Sequence, residues 1–380
     1  MANVFEKQVF ASSIGTLEIG TGEQRLVIGG GNTWPLYAFD GEPDAAAATP
    51  GTAPATAAAP APGTDAAAAA PAAAATAAAA ATQKSTSLLC SAAPPRVGLQ
   101  ISDLGSEGLD AAVASFYADC ADVPAMAVKA AAVPGVEFIA LAFDGANPAG
   151  ANKAVEECVA LAQAVAQVCP LPLVVAGSGN SEKDSALFEK IAEALEGENV
   201  LFVSAKEENY KAVGAAVALA WNQKLAAESA VDINLAKQLN LLLGQLGVKN
   251  ESLAMNVGCA VAGYGFEYVV STMERVKSTA LTQADASLQM PIITPVGADA
   301  WNVKESLAEE ADYPQWGPRE ERGIQMEVVT AAACLAAGSD AVILLHPTAA
   351  TTIATLVELL IIGGSPGKSD LPGFNLKGGE

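Results

Sequence analysis

The chain has 380 residues, with 42 Asp and Glu against 20 Lys and Arg, giving a formal net charge of -22 and a pI near 4.3. Phosphate backbones are gripped by clustered Lys and Arg, so this balance excludes general nucleic-acid binding through a basic surface. The six cysteines form no CxxC pair and there is a single histidine, which argues against a zinc site, an iron–sulfur cluster or a His-dependent triad within this chain.

Residues 1–41 hold two short β-like runs, Thr16–Ile19 and Arg25–Ile28, joined by Gly20-Thr21-Gly22-Glu23. That pattern predicts a β-hairpin, and a lone hairpin is marginal in water, so it is expected to dock on something else. Residues 42–93 are dominated by Ala, Pro, Thr and Gly, and interspersed prolines break the helix that Ala favours, so a disordered, flexible linker is expected. A coil of about 40 residues reaches roughly 35 Å, enough for the hairpin to dock away from the main domain, even on another subunit. Pro, Thr and Gly also disqualify this stretch as a membrane span, and no signal peptide pattern opens the chain. No membrane association is expected, and a cytoplasmic location is the default.

Residues 94–362 change character. Short apolar runs predict strands at Val97–Asp103, Glu137–Asp144, Leu171–Ser178, Val200–Lys206, Leu225–Ser229, Glu251–Val257, Pro291–Gly297 and Ala341–Pro347. Helical patterns follow, among them Asn152–Val168, Ser181–Leu195, Ile233–Leu246, Arg322–Ala337 and Thr351–Ile361. A repeated βα unit of this total length predicts a parallel (β/α)8 TIM barrel, with a doubly wound open sheet as the alternative. Residues 363–380 read as a C-terminal tail.

Chemistry in such barrels sits at the carboxyl ends of the strands. Those positions are polar here: Ser102-Asp103, Asp144 to Asn147, Gly177 to Asn180, Lys206 with Asn209, Asp232 with Asn234, Asn256, the loop bearing Trp301, Lys304, Glu305, Trp316 and Arg322, and His346. Asp103, Ser181 and Asp232 are equally well placed as helix N-caps. Lys206 could form a Schiff base in an aldolase-type barrel, although a lysine at a strand end is more often ion-paired.

The helix after the sixth strand carries the strongest pattern. Phe266, Val269, Val270, Met273, Val276 and Ala280 make one apolar side; Tyr264, Glu267, Tyr268, Ser271, Glu274 and Arg275 make a polar one. Gly263 and Gly265 stand just ahead of it, where backbone can approach a ligand closely. On the preceding helix Asn234, Lys237, Gln238, Leu241 and Gln245 share a face, and Leu235, Leu239, Leu242 and Leu246 are expected to pack on the barrel. The two polar faces together predict a wide recognition patch suited to a bulky flat ligand or a protein partner.

Asn209-Tyr210-Lys211, Asp232 through Asn240, Gly263 through Tyr268 and Met273-Glu274-Arg275 resemble the small subunit of the corrinoid iron–sulfur protein, known in archaea as the delta subunit of the acetyl-CoA decarbonylase/synthase complex. Trp301 with Lys304-Glu305, Trp316-Gly317, Arg322-Gly323, Glu327, Thr330-Ala331 and His346-Pro347 extend the likeness over roughly residues 95–350, and Gly29-Gly30 with Trp34-Pro35 resemble the family's N-terminal hairpin. The resemblance implies a TIM barrel that pairs as a heterodimer with a large (gamma) subunit carrying the iron–sulfur cluster and the cobamide-binding domain. The cobamide then lies between that subunit and the top of this barrel. Methyl groups pass from a methyl-tetrahydropterin methyltransferase to cobalt and on to acetyl-CoA synthase/CO dehydrogenase, in the reductive acetyl-CoA pathway. On this reading Asn209, Asp232, Asn234, Lys237, Gln238, Asn256, Gly263, Tyr264, Gly265, Glu267, Tyr268, Glu274, Trp301 and Glu305 are cofactor- or partner-contacting candidates, and none is catalytic. The chain departs from the family in having Asn256-Val257 where Asp-Pro is usual, and Trp221-Asn222 where many members have a histidine. The alternative is a pterin-dependent methyltransferase acting on a corrinoid protein, in which Asp103, Asp144, Asn180, Asn209, Asp232, Asn234 and Asn256 would bond the pterin.

Overall fold

The computed structural model describes residues 8–34 and 94–361. The linker and tail expected at 42–93 and 363–380 lie outside the described residues.

Eight strands follow one another in a single parallel sheet: β5 (Arg96–Ser102), β6 (Phe138–Ala142), β7 (Leu173–Ala176), β8 (Leu201–Ala205), β9 (Lys224–Glu228), β10 (Leu253–Asn256), β11 (Ile293–Pro295) and β12 (Ala341–Leu344). Each neighbour in space is a neighbour in sequence, with β12 pairing back on β5, as right-handed βα crossovers require. The remaining gap closes where Met255 bridges Ile292 in parallel, with the Met255 amide donating to the Pro291 carbonyl at 2.8 Å. The predicted barrel is therefore the observed one.

The helices run α1 (Ala111–Phe116), α2 (Val123–Ala131), α3 (Val155–Val168), α4 (Ser181–Ala194), α5 (Tyr210–Val213), α6 (Ile233–Leu246), α7 (Phe266–Thr282), α8 (Gly297–Ala300), α9 (Lys304–Leu307), α10 (Arg319–Ala337) and α11 (Pro347–Ile361). Side chains alternate across each strand. Leu99, Ile101, Ile139, Leu141, Val175 and their counterparts face the helices in one large core. Phe138, Ala140, Val174, Leu201, Ala226, Ala254, Ile293 and Ala341 face inward in a second. Gly98 is needed here, because a Cβ at that position would stand 2.2 Å from the Phe138 ring.

An interior this rich in alanine does not fill itself. The hairpin of β2 (Thr16–Ile19) and β3 (Leu26–Gly29) supplies Leu17, Ile19, Leu26 and Ile28 to the inward core and plugs the amino-terminal mouth of the barrel. Polar ties fasten its rim: Asn199 Nδ2 donates to the Glu18 carbonyl at 2.9 Å, and Arg96 Nε donates to the Val27 carbonyl at 2.9 Å. Outside it, β1 (Gln8–Val9) pairs antiparallel with β4 (Thr33–Trp34). The hairpin docks, as expected of a marginal two-stranded piece, and the surface it finds is the base of this barrel. Its four aliphatic residues find their apolar partners directly below.

Two further corrections concern helices. α6 buries Ala236, Leu239, Asn240 and Leu243, so the face toward the barrel is rotated from the expected Leu235–Leu239–Leu242–Leu246 stripe, and Asn240 compensates by donating to the Ser287 carbonyl at 2.9 Å. Asn180 rather than Ser181 caps α4, its carboxamide accepting from the Lys183 amide at 2.9 Å.

The closing seam is held by a buried ion pair. Lys277, in the lower half of α7 and fully buried, binds Asp340 ahead of β12, and the same carboxylate oxygen accepts the Ile292 amide at 2.7 Å. Removing the ammonium leaves an uncompensated buried carboxylate, so Lys277→Met is expected to cost about 3–5 kcal/mol in chemical denaturation. Leu17→Ala is expected to cost about 2–5 kcal/mol, because it opens a cavity in the plug. An unchanged denaturation midpoint in either variant would contradict the role given to that residue.

Candidate recognition site at the carboxyl rim

α7 begins above its neighbours on a backbone that only glycine adopts readily. Gly263 and Gly265 have φ of +88° and +91°, and the space beside the Gly263 Cα is open. This turn lifts two aromatic side chains to the surface: Tyr264 is 47% and Tyr268 68% exposed. The amphipathic reading of α7 holds in detail. Val269, Met273, Val276 and Ala280 are buried, while Glu267, Ser271, Glu274 and Arg275 are exposed.

Tyr264 is oriented by the seventh loop: its hydroxyl donates to Glu305 on α9 at 2.7 Å. Beside Glu305, the Lys304 ammonium stands 4.7 Å from the Tyr313 ring centroid and 5.6 Å from that of Trp316. Tyr313 and Trp316 stack at 4.1 Å.

Beneath this surface lies a buried bracket. Trp301 donates its indole N–H to Glu327 at 2.9 Å and stacks on His346 at 5.7 Å between centroids. Glu327 also accepts the backbone amides of Leu345 and His346, so one carboxylate joins α10 to the loops after both β11 and β12. Burial pushes its pKa up to about 7 against the lowering effect of those three donors. His346 Nδ1 accepts from the Thr348 amide, and Nε2 lies 3.4 Å from Glu320. Burial lowers the histidine pKa, opposed by that glutamate.

The remaining candidates are elsewhere. Asp232 caps α6, accepting from the Asn234 amide at 2.7 Å, and Asn234 and Gln238 are exposed on the flank. Lys237 pairs at 2.6 Å with Asp285, just past the far end of α7. A helix of that length spans about 25 Å. The single wide patch expected from the two helices is therefore divided: Tyr264, Tyr268 and Glu305 cluster at the rim, and Lys237 is tied well below them. Asn209 is buried, accepting from the Lys206 amide at 2.8 Å and donating to the Ser181 carbonyl at 3.1 Å. Asn256 is likewise buried, donating to Ser204 at 2.9 Å and accepting from the Gly258 amide at 3.0 Å. Lys206 pairs with Glu228 at 3.4 Å. Asp103 is not a cap; it accepts the Gly145 amide at 2.8 Å, and burial raises its pKa despite Lys153.

Sequence reasoning passed over Tyr313 and the bracket role of Glu327. Two signals were available: aromatic residues flanking a Pro-Gln pair at 313–316, and a lone carboxylate inside the apolar stretch of α10. Among the described residues, no group of three or more His, Cys, Asp or Glu side chains is placed to hold a metal ion, and no helix is long and apolar enough to cross a membrane.

The structure defines a plugged (β/α)8 barrel with an aromatic and acidic surface on its carboxyl rim. Residues 89–355 match the family described as CO dehydrogenase/acetyl-CoA synthase delta subunit, and the chain belongs to that family. It is 32% identical over 262 residues to the acetyl-CoA decarbonylase/synthase complex subunit delta of Archaeoglobus fulgidus, covering 66% of this chain and 56% of that one. It is 32% identical over 267 residues to the subunit of the same name from Methanothermobacter thermautotrophicus, covering 70% of this chain and 67% of that one. The match thus spans only about half to two thirds of the length of these relatives. Among solved structures, the chain is similar to a Yersinia pestis DHPS, with a TM-score of 0.42 and 14% identity over 70% of this chain and 93% of that one. A Xanthomonas albilineans dihydropteroate synthase gives a TM-score of 0.40 and 12% identity over 69% and 91%.

Glu327 gives a pH test of the bracket. Its folded pKa lies above the unfolded carboxyl value of 4.5, so its contribution to stability is complete below about pH 4.5 and is lost as pH rises through about 7. The change is about 3 kcal/mol over that window. Glu327→Gln cannot titrate, so the difference in unfolding free energy between wild type and variant is expected to slope across this window. A pH-independent difference would place the titration elsewhere.

Proposed function

We propose that the chain is a subunit that caps a cobamide held by a larger corrinoid-bearing partner and supports methyl transfer from a methyl-tetrahydropterin toward acetyl-CoA synthase. The observation that carries the reading is the glycine-flanked start of α7, which presents Tyr264 and Tyr268 to the outside. The fit to a corrinoid rests on this chain's own groups. The open backbone at Gly263 permits close approach, the tyrosine hydroxyls can bond ring amides, and Glu267 and Glu305 add acceptors at the same edge. When bound, the cobamide supplies the cobalt that carries the methyl group. The chain's residues would position it and exclude water from one face.

The polar residues inside the rim support a recognition role over catalysis. Asn209, Asn256 and Asp232 spend their side chains on loops and caps, and Lys206 on an ion pair, so few of the groups a pterin-dependent methyltransferase would call upon are free. A large partner surface also suits the exposed tyrosines, since aromatic anchors dominate interface energetics.

Purified with its corrinoid-bearing partner, the Tyr264→Ala/Tyr268→Ala double variant is expected to bind at least about tenfold more weakly, while circular dichroism stays unchanged. Wild-type chain alone is expected to take up no stoichiometric cobalamin in its visible spectrum. Undiminished partner affinity in the double variant, or tight cobalamin binding by the isolated chain, would overturn the proposal.

A further inference from the structure

Arg322 and Lys277 are the two buried Lys or Arg residues among the described residues, and their surroundings differ. Arg322 is only 8% exposed, yet its Nε and Nη1 have no hydrogen-bond partner, and the remaining nitrogen donates to the Ala308 carbonyl. Lys277, Arg96 and Arg319, each wholly or partly buried, all lie against a carboxylate: Asp340, Glu137 and Asp110. No such partner is found for Arg322 among the described residues. A guanidinium taken out of water without a counter-charge is costly. The ring of Trp316, whose centroid is 5.8 Å from the guanidinium carbon, offsets only part of that cost.

The surroundings favour an anion there. Arg322 lies in the first turn of α10, a 19-residue helix whose N-cap residue, Pro318, offers no side-chain acceptor. That helix start already takes one carboxylate oxygen, for the Arg319 amide donates to the exposed Glu310 side chain at 2.9 Å. Lys304 brings a second cation to the same aromatic pair, 5.6 Å from the Trp316 ring centroid, and its bond to Tyr313 raises its pKa. The position is bounded by the loops after the seventh and eighth strands, where barrels of this class commonly hold phosphate.

We propose that Arg322, roofed by the Tyr313–Trp316 stack and flanked by Lys304, is a binding site for a small oxyanion of the phosphate class, with Trp316 shifting to admit it and the Glu310 carboxylate giving up its place. The acidic side chains nearby, Glu309, Glu310 and Asp312 on the loop and Glu320 and Glu321 in the same helical turn, are solvent-exposed, whereas the guanidinium is fixed in the interior, where its field is least screened. The site adjoins the tyrosine surface, since Lys304 is followed on α9 by Glu305, which holds the Tyr264 hydroxyl.

The test titrates the full chain with inorganic phosphate, phenyl phosphate and succinate, read by calorimetry and by tryptophan fluorescence. Saturable phosphate binding that perturbs Trp fluorescence is expected, at least tenfold weaker in Arg322→Gln and severalfold weaker in Lys304→Gln, while Arg25→Gln, in an exposed ion pair at the barrel base, binds as wild type. Equal affinity for the two phosphates identifies the free ion as sufficient; preference for phenyl phosphate identifies a phosphate carried on an aromatic group. No saturable phosphate binding, binding of succinate alone, or undiminished affinity in Arg322→Gln would each overturn the assignment. Should Arg322→Gln fail to fold, the surface variant Lys304→Gln decides, and its unchanged affinity would also overturn it.

Discussion

The Lys277–Asp340 pair is the contact on which the rest of this structure depends. A parallel sheet of eight strands closes only if its last gap is held, and here β10 and β11 meet through a single bridge at Met255 and Ile292. Asp340 receives both the Lys277 ammonium and the Ile292 amide, so one carboxylate pins the seam from within while the charge that makes this possible comes from α7. The same pair fixes the lower half of α7. Because a helix is stiff, holding its base also determines where its upper end emerges, and that end carries Tyr264 and Tyr268.

The plug follows from the same geometry. Small side chains at inward positions, with Gly98 yielding space to Phe138, let the barrel close without strain but leave its amino-terminal mouth underfilled. Close packing at interior density then requires atoms from outside the barrel sequence, and Leu17, Ile19, Leu26 and Ile28 supply them. The barrel is therefore finished at its base by rigid packing, which leaves the opposite rim as the end where loops of differing length can carry recognition.

Much of this was legible in the sequence, because the signals involved are periodic. Short apolar runs located the strands, and spacing of three and four separated the core-facing side of α7 from its exposed side, although the burial of Thr272 and Lys277 was not legible there. What escaped depended on partners distant in the chain. Nothing local to Leu17 or Ile19 says whether they meet this barrel or another surface. The rotation of α6 turned on Asn240 finding the Ser287 carbonyl, 47 residues away. Lys237 looked like a rim residue by position, yet Asp285 draws it toward the far end of α7. A capping residue, by contrast, acts within its own turn, which is why the reading of Asp232 as a possible cap could be made beforehand.

Charge at the rim shows how an acidic protein can still present a specific surface. With a net charge of -22 the chain repels acidic partners at long range, but Debye screening confines that repulsion to about 8 Å at physiological salt. Inside that distance the local arrangement decides. Tyr264 is held by Glu305, Lys304 lies on aromatic faces, and Trp301 is braced by Glu327, so the aromatic groups are oriented before any partner arrives. Side chains already fixed lose little conformational freedom on association, so more of the contact energy appears as affinity. Because Glu327 braces both the seventh and the eighth loops through a single carboxylate, that preorganisation is shared. Loosening one loop loosens the other, which couples the Tyr264 edge to the ground on which Arg322 stands.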